Sequence, residues 1–139
     1  MRYLGLDLGT KTLGVSISDQ THTIATSYKT IRYTDYEELF IELTKIIKEF
    51  NIKKIVLGYP KNMNNTIGPK AILTEEFKTK LEDLFKLEVI LQDERLTTVE
   101  ATNYMLQADI SRKKRKQKID SLAATIILQT YLDRRDKNE

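Results

Sequence analysis

The acids best placed to do chemistry in this chain lie at the ends of predicted elements. Asp7 interrupts the alternation of Leu4, Leu6 and Leu8 in YLGLDLG, Asp93 and Glu94 follow the apolar run EVILQ, and Asp120 opens the pattern KIDSLAATIILQTYL. In a helix built on that last segment, Asp120, Ala123, Ala124, Ile127 and Tyr131 share one face. The two alanines let such a helix approach a sheet closely, which would carry the Asp120 carboxylate toward it. Gathered carboxylates repel one another and resist burial unless a cation neutralises them. A hard divalent ion, Mg2+ or Mn2+, suits that donor set, because it accepts a few carboxylate oxygens and fills its remaining positions with water or phosphate oxygens. Two such ions would activate a water and stabilise the leaving oxygen in a phosphodiester displacement. Taken singly, each acid also has a structural reading; Asp120, for example, favours the dipole of a helix start. Spacing leaves Asp93 and Glu94 as alternatives, since the end of a predicted strand is uncertain by a residue or two.

Other chemistries are narrowed by composition. There is no cysteine, so disulfides, thiol nucleophiles and Cys-ligated metals are excluded, and the only histidine, His22, sits between threonines in a predicted turn. The formal net charge is +3, from 23 basic and 20 acidic residues, but six of the basic ones (Arg112, Lys113, Lys114, Arg115, Lys116 and Lys118) fall in one short run without an acid. Without that run the balance is 17 minus 20, or −3. The basic character is therefore a local patch placed just before Asp120, suited to holding a nucleic-acid backbone by contacts that weaken as salt rises. Lys11 and Arg95, each close to one of the acids, are candidates for the same role. Tyr59, Tyr104 and Tyr131 fall on apolar faces and are expected to pack in the core rather than stack on bases.

The positioning elements follow from periodicity. Leu13, Val15 and Ile17 alternate with Gly14, Ser16 and Ser18 in a second strand, joined to the first by the short loop from Gly9 to Thr12, and a third extended segment is predicted from Ile24 to Ile31. Leu39, Leu43, Ile46, Ile47 and Phe50 then share a helical face, with Thr34 and Glu37 at capping-box spacing. KKIVLGYP reads as a buried strand. Pro69 starts a helix expected to turn Ile72, Leu73, Phe77, Leu81, Leu84 and Phe85 inward, and Glu88 to Gln92 form a fifth strand. Another helix is expected from near Thr98 and the last from about Lys118. Three antiparallel strands followed by alternating strands and helices predict one α/β domain over residues 1–139, a five-stranded mixed sheet flanked by helices on both faces. No apolar run approaches the ~20 residues of a membrane span, and the first residues lack a secretory h-region, so a cytoplasmic location without membrane contact is expected.

Four segments together resemble one family, the YqgF or RuvX proteins: LGLDLGTKTLGVSISD, VLGYPKNMNNTIG, QDERLTTVEA and KIDSLAATIILQTYL. They occur in family order across nearly the whole chain, and DERLTT followed by D-x-x-A-A-x-x-I-L-Q is a specific combination. The resemblance implies a ribonuclease H-like fold and a nuclease, similar to Holliday-junction resolvases, that matures the 5′ end of pre-16S ribosomal RNA and acts on structured precursor rRNA or ribosomal precursor particles. It implies Asp7, Glu94 and Asp120 as catalytic, metal-binding carboxylates, favouring Glu94 over Asp93. Similar proteins usually carry Arg where this chain has Thr12 and Gly where it has Asn65.

Other classes predict different behaviour. A Holliday-junction or branched-DNA resolvase would use the same acids and backbone contacts. The D-L-G-T turn also resembles the phosphate loop of actin-like kinases and chaperones, but those enclose ATP between two lobes, and this length provides one. A nucleic-acid scaffold without turnover would bind independently of the acids. On the nuclease reading, Gly9 and Thr10 are expected to offer space and backbone donors to a phosphate.

Overall fold

The computed structural model describes residues 1–59, 69–93 and 122–134, apart from the side chain of Asp93. Its centre is a five-stranded sheet in the order β3-β2-β1-β4-β5. The strands are β1 (Arg2–Leu8), β2 (Thr12–Ser18), β3 (Ala25–Arg32), β4 (Ile52–Tyr59) and β5 (Glu88–Asp93). β1 and β2 form the expected hairpin and β2 pairs antiparallel with β3, whereas β1, β4 and β5 run parallel. The parallel pairs are connected through α1 (Tyr36–Glu49) and α2 (Pro69–Phe85), as parallel neighbours require crossovers. A further helix occupies residues 122–134.

Period-two alternation divides the sheet between two cores. Leu4, Leu6 and Leu8 of β1 join Leu13, Val15 and Ile17 of β2 and Leu57 of β4 in a large cluster with Leu39, Leu43 and Ile46 of α1 and Phe77 and Leu81 of α2. On the opposite face, Tyr3 and Val56 pack with Ile127, Leu128 and Leu132 of the C-terminal helix. The mixed sheet with helices on both faces is thus as the sequence predicts.

Local details differ from the sequence reading in instructive ways. The N-cap of α1 is Asp35, whose carboxylate accepts the Glu38 N–H at 2.8 Å, while the Thr34 hydroxyl donates to the Glu38 carboxylate at 2.9 Å. The cap is therefore one residue later than Thr34, because an ionised carboxylate is a stronger acceptor for an orphan N–H than a hydroxyl. In α2 the inward residues are Ala71, Thr74, Phe77 and Leu81, and Ile72, Leu73 and Leu84 are exposed. The inward stripe follows spacings of three and four from Ala71; Thr74 is tolerated there because its hydroxyl donates to the Lys70 carbonyl at 2.9 Å. Strand β3 extends to Arg32 and β5 to Asp93, each one residue past its predicted end.

The C-terminal helix approaches the sheet as closely as its paired alanines suggest. Ala123 and Ala124 are buried, and the buried Ser16 hydroxyl donates to the Ala124 carbonyl at 2.9 Å. A Cβ at Gly5 would lie 2.7 Å from the Leu128 Cβ and 2.9 Å from the Ala124 carbonyl oxygen. Only a glycine strand surface permits this contact. His22 has a structural place, its ring stacked on Tyr3 with centroids 4.1 Å apart and Nε2 3.0 Å from the Met1 carbonyl oxygen.

Candidate catalytic edge of the sheet

The carboxyl ends of β1, β4 and β5 lie at one edge of the sheet, and the parallel sense of β3 relative to β1 brings its end there too. In open α/β sheets this is the edge at which ligands bind. Asp7 is the penultimate residue of β1. Its neighbours Leu6 and Leu8 point into the main core, so alternation sets its carboxyl group on the face of Tyr3 and Gly5, which carries the C-terminal helix. Asp7 is half-buried there and pairs in register with Gly14 of β2. On the β4 side the register that aligns Leu6 with Leu57 continues to Gly58, which pairs with the buried Gln92 of β5. The residues level with the acid on the two neighbouring strands are glycines. The strand pattern explains how a charge is accommodated in an otherwise apolar strand: it is held at the edge, between glycines.

The glycine turn after Asp7 is closed by its own backbone. The Gly9 N–H donates to the Thr12 carbonyl at 2.7 Å, and the Gly9 carbonyl accepts the Tyr33 hydroxyl at 2.8 Å. The Tyr33 N–H donates to the Lys11 carbonyl at 3.1 Å. The expectation that Gly9 offers a backbone donor to a phosphate is thereby corrected, since hairpin closure consumes that donor. A Cβ at Gly9 would stand 2.9 Å from the Thr12 hydroxyl and 3.1 Å from its carbonyl oxygen, so the turn is tight at this point. Thr10 and Lys11 are exposed on its outer side.

Burial pushes the Tyr33 phenol up to about 12. An unfolded chain would release this proton near pH 10, so the neutral phenol favours folding below that pH, and the advantage declines as pH rises from about 10 to about 12. Tyr33→Phe is expected to remove this part of the alkaline dependence and to lower stability at neutral pH by about 1 kcal/mol through loss of the hydroxyl bond. Urea unfolding at pH 7 and across the alkaline range measures both; an unchanged alkaline slope would assign it to another group.

Asp19, at the opposite end of β2, has a different task. Its carboxylate accepts the N–H groups of Thr23 and Ile24 at 2.8 and 3.1 Å and the Thr21 hydroxyl. These bonds hold it well below the usual carboxylate range and organise the turn into β3. It is a structural acid remote from the edge occupied by Asp7.

Glu94, Arg95, Arg112, Lys113, Lys114, Arg115, Lys116, Lys118 and Asp120 lie outside the described residues, as does Tyr104. Among the described residues there is no group of three or more His, Cys, Asp or Glu side chains gathered to hold a metal. The described elements nonetheless lead to the positions of the other acids in the sequence. β5 ends at Asp93, immediately before Glu94, and the C-terminal helix is described from residue 122, two after Asp120. That helix runs antiparallel to β1: Tyr131 contacts Tyr3 with ring centroids 6.2 Å apart, and Leu128 and Ala124 adjoin Gly5. Tyr59 is buried, its hydroxyl donating to Glu75 at 2.8 Å, and Tyr131 is half-buried beside Tyr3, consistent with core packing for both. Two residues at this edge were not singled out by the sequence reading. Thr30 and Arg32 of β3 pair with Gly14 and Thr12; ending the predicted strand at Ile31 hid the second of them.

A family model described as "RuvX: Holliday junction resolvase" matches residues 1–134. The chain belongs to the RuvX family. Relatives named "Putative pre-16S rRNA nuclease" include one from Geobacillus sp., 51% identical over 135 residues and covering 96% of this chain and 98% of its own. The Bacillus cytotoxicus and Bacillus subtilis proteins of the same name are each 49% identical over 135 residues, with the same coverage. Among solved structures, Thermus thermophilus RuvC in complex with a Holliday junction has a TM-score of 0.61 at 12% identity, covering 99% of this chain and 96% of its own. The Fowlpox virus resolvase bound to Holliday junction DNA also has a TM-score of 0.61 at 12% identity, covering 96% of this chain and 98% of its own. The RuvX-family chain thus has the ribonuclease H-like fold of the RuvC-type resolvases, in a family named for nucleases.

Proposed function

We propose that this protein, as a single nuclease domain over residues 1–139, is a divalent-metal-dependent endonuclease that hydrolyses phosphodiester bonds in 5′-end processing of pre-16S rRNA. The observation that carries the reading is the position of Asp7: a carboxylate at the carboxyl edge of the sheet, on the face of the C-terminal helix and level with glycine on the adjoining strands. The names of the relatives support the rRNA substrate over branched DNA. The reading assigns Asp7, Glu94 and Asp120 as metal ligands and catalytic residues. In β5, Val89 and Leu91 belong to the main core and Gln92 is buried in the row of Asp7. Glu94, and not Asp93, is the proposed ligand because the DERLTT segment of the RuvX resemblance favours it. The antiparallel course of the C-terminal helix along Tyr3 and Gly5 leads back along its sequence toward Asp120.

The donor chemistry fits Mg2+ or Mn2+, since the proposed ligands are all carboxylates and the chain has no cysteine. When bound, two such ions supply an activated water and stabilisation of the leaving oxygen. The protein's part is to hold the carboxylates at the ends of packed elements. Lys11, Arg95 and the run from Arg112 to Lys118 would hold the backbone of the precursor rRNA, free or in ribosomal precursor particles. Among the described residues no helix is long and apolar enough to cross a membrane, and a cytoplasmic site of action is part of the proposal.

The deciding experiment sets a precursor-rRNA leader and a four-way DNA junction side by side with Mg2+ and with Mn2+. Metal-dependent cleavage of the leader is expected, and preferential cleavage of the junction would move the assignment to a resolvase. Salt-sensitive binding without cleavage of either would favour a scaffold.

A further inference from the structure

We infer that Arg32, at the carboxyl end of β3, is a second contact for the phosphodiester backbone of the substrate, on the flank of the cleavage edge away from β4 and β5. The inference rests on the nuclease reading and extends its binding surface across β2 and β3. Three observations carry it. Arg32 pairs in register with Thr12, the first residue of β2, and its predecessor Ile31 points into the main core, so alternation turns Arg32 to the face of Asp7. Its side chain is exposed and, among the described residues, has neither a carboxylate partner nor a hydrogen bond. Lys29, also on β3 but on the α1 side, is instead paired with Glu42 at 3.4 Å. The loop carrying the exposed Lys11 is tied to the residue after Arg32 by the bond from the Tyr33 N–H to the Lys11 carbonyl. Two cations are thus presented beside the hairpin turn without a matching acid among the described residues.

The row between Asp7 and Arg32 is closed to a substrate, so a backbone reaching both would run along the carboxyl edge of the strands and not across them. Gly14, level with Asp7, carries no side chain, and Thr30 follows it in the same row. The Thr30 hydroxyl is buried and, among the described residues, has no hydrogen-bond partner. From Asp7 to Arg32 the sheet spans two strand spacings, ~10 Å, and two residues along the strand, ~7 Å. With its long side chain, a guanidinium at that position reaches phosphates flanking the one at Asp7 and not the scissile phosphate itself. Arg32 is therefore a positioning residue for substrate. Its ligand class is a phosphodiester backbone, contacted through charge without base readout.

The test uses a fluorescein-labelled precursor-rRNA leader fragment and full-length protein carrying Asp7→Asn, so that binding is read without cleavage, by anisotropy between about 50 and 200 mM salt. Adding Arg32→Gln is expected to weaken binding several-fold and to reduce the slope of log affinity against log salt by about 0.7 to 0.9, the value of one lost phosphate contact. Arg32→Lys restores the slope. Lys48→Gln, an equal change in net charge on exposed α1, leaves both quantities at the parent value. The proposal is overturned if Arg32→Gln binds like its parent, or if Lys48→Gln loses as much. If the wild-type chain cleaves the leader while Arg32→Gln changes nothing, the nuclease reading stands and only the role of Arg32 falls. Absence of both leader binding by the parent and cleavage by wild type would remove the nuclease reading and this inference together.

Discussion

Asp7→Asn is expected to abolish metal-dependent cleavage of a precursor-rRNA leader while leaving the protein folded. Asparagine keeps the shape of the side chain at the edge of β1 but has no charge to offer a divalent ion. Withdrawal of one charged ligand removes several kcal/mol of transition-state stabilisation, and each 1.36 kcal/mol is a decade in rate, so the loss is about 1000-fold. Single-turnover rates with saturating Mg2+ or Mn2+ measure it, with thermal unfolding as the control for fold. The neighbouring acids provide a sharper comparison. Glu94→Gln is expected to match the loss in Asp7→Asn, and Asp93→Asn to retain most activity, because the proposal takes Glu94 and not Asp93 as the ligand. Cleavage that survives Asp7→Asn would refute the catalytic assignment, and the reverse ranking of the Asp93 and Glu94 variants would move the ligand from Glu94 to Asp93.

The second large effect is expected far from any acid, at Gly5. An added methyl there meets the Leu128 Cβ at 2.7 Å and the Ala124 carbonyl oxygen at 2.9 Å, closer than such atoms approach without displacement. The carbonyl belongs to helical backbone and cannot rotate away, so Gly5→Ala must push the C-terminal helix off the sheet. Overpacking of this kind costs about 1–3 kcal/mol, and the buried bond from Ser16 to Ala124 is strained with it. Thermal unfolding followed by circular dichroism should show a midpoint lower by roughly 3–12 °C for a domain of this size. Cleavage should fall as well, even at temperatures where the variant remains folded, because this helix leads back to Asp120. An unchanged midpoint would mean that the contact relaxes easily; a lowered midpoint with full activity would separate helix docking from the site.

Much of this protein was legible in its residues because each strand repeats with period two and each helix with period three to four. Leu4, Leu6 and Leu8, and then Leu13, Val15 and Ile17, define a hairpin with one apolar face, and the structure pairs them Leu4 with Ile17 and Leu6 with Val15. Ala123 and Ala124 announce a helix that packs closely, and both are buried. Local period does not fix element ends or the width of an apolar face: the cap falls on Asp35 and not Thr34, β3 ends at Arg32 and not Ile31, and the apolar stripe of α2 narrows to Ala71, Thr74, Phe77 and Leu81.

The sequence by itself determined the alternating and helical faces, the absence of thiol chemistry and the place of Asp7 near the end of a strand, since these follow from residue type and local period. Only the tertiary structure decided what each face meets. It showed that Gly9 spends its N–H on Thr12, that Asp19 is consumed by its own turn, that Asp7 lies in register with Gly14 beside the helix-bearing face, and that Arg32 shares that face with no partner acid among the described residues. These are consequences of strand register and crossover. Residues distant in the chain become neighbours through them, and the period of a single segment carries no information about which neighbour that will be.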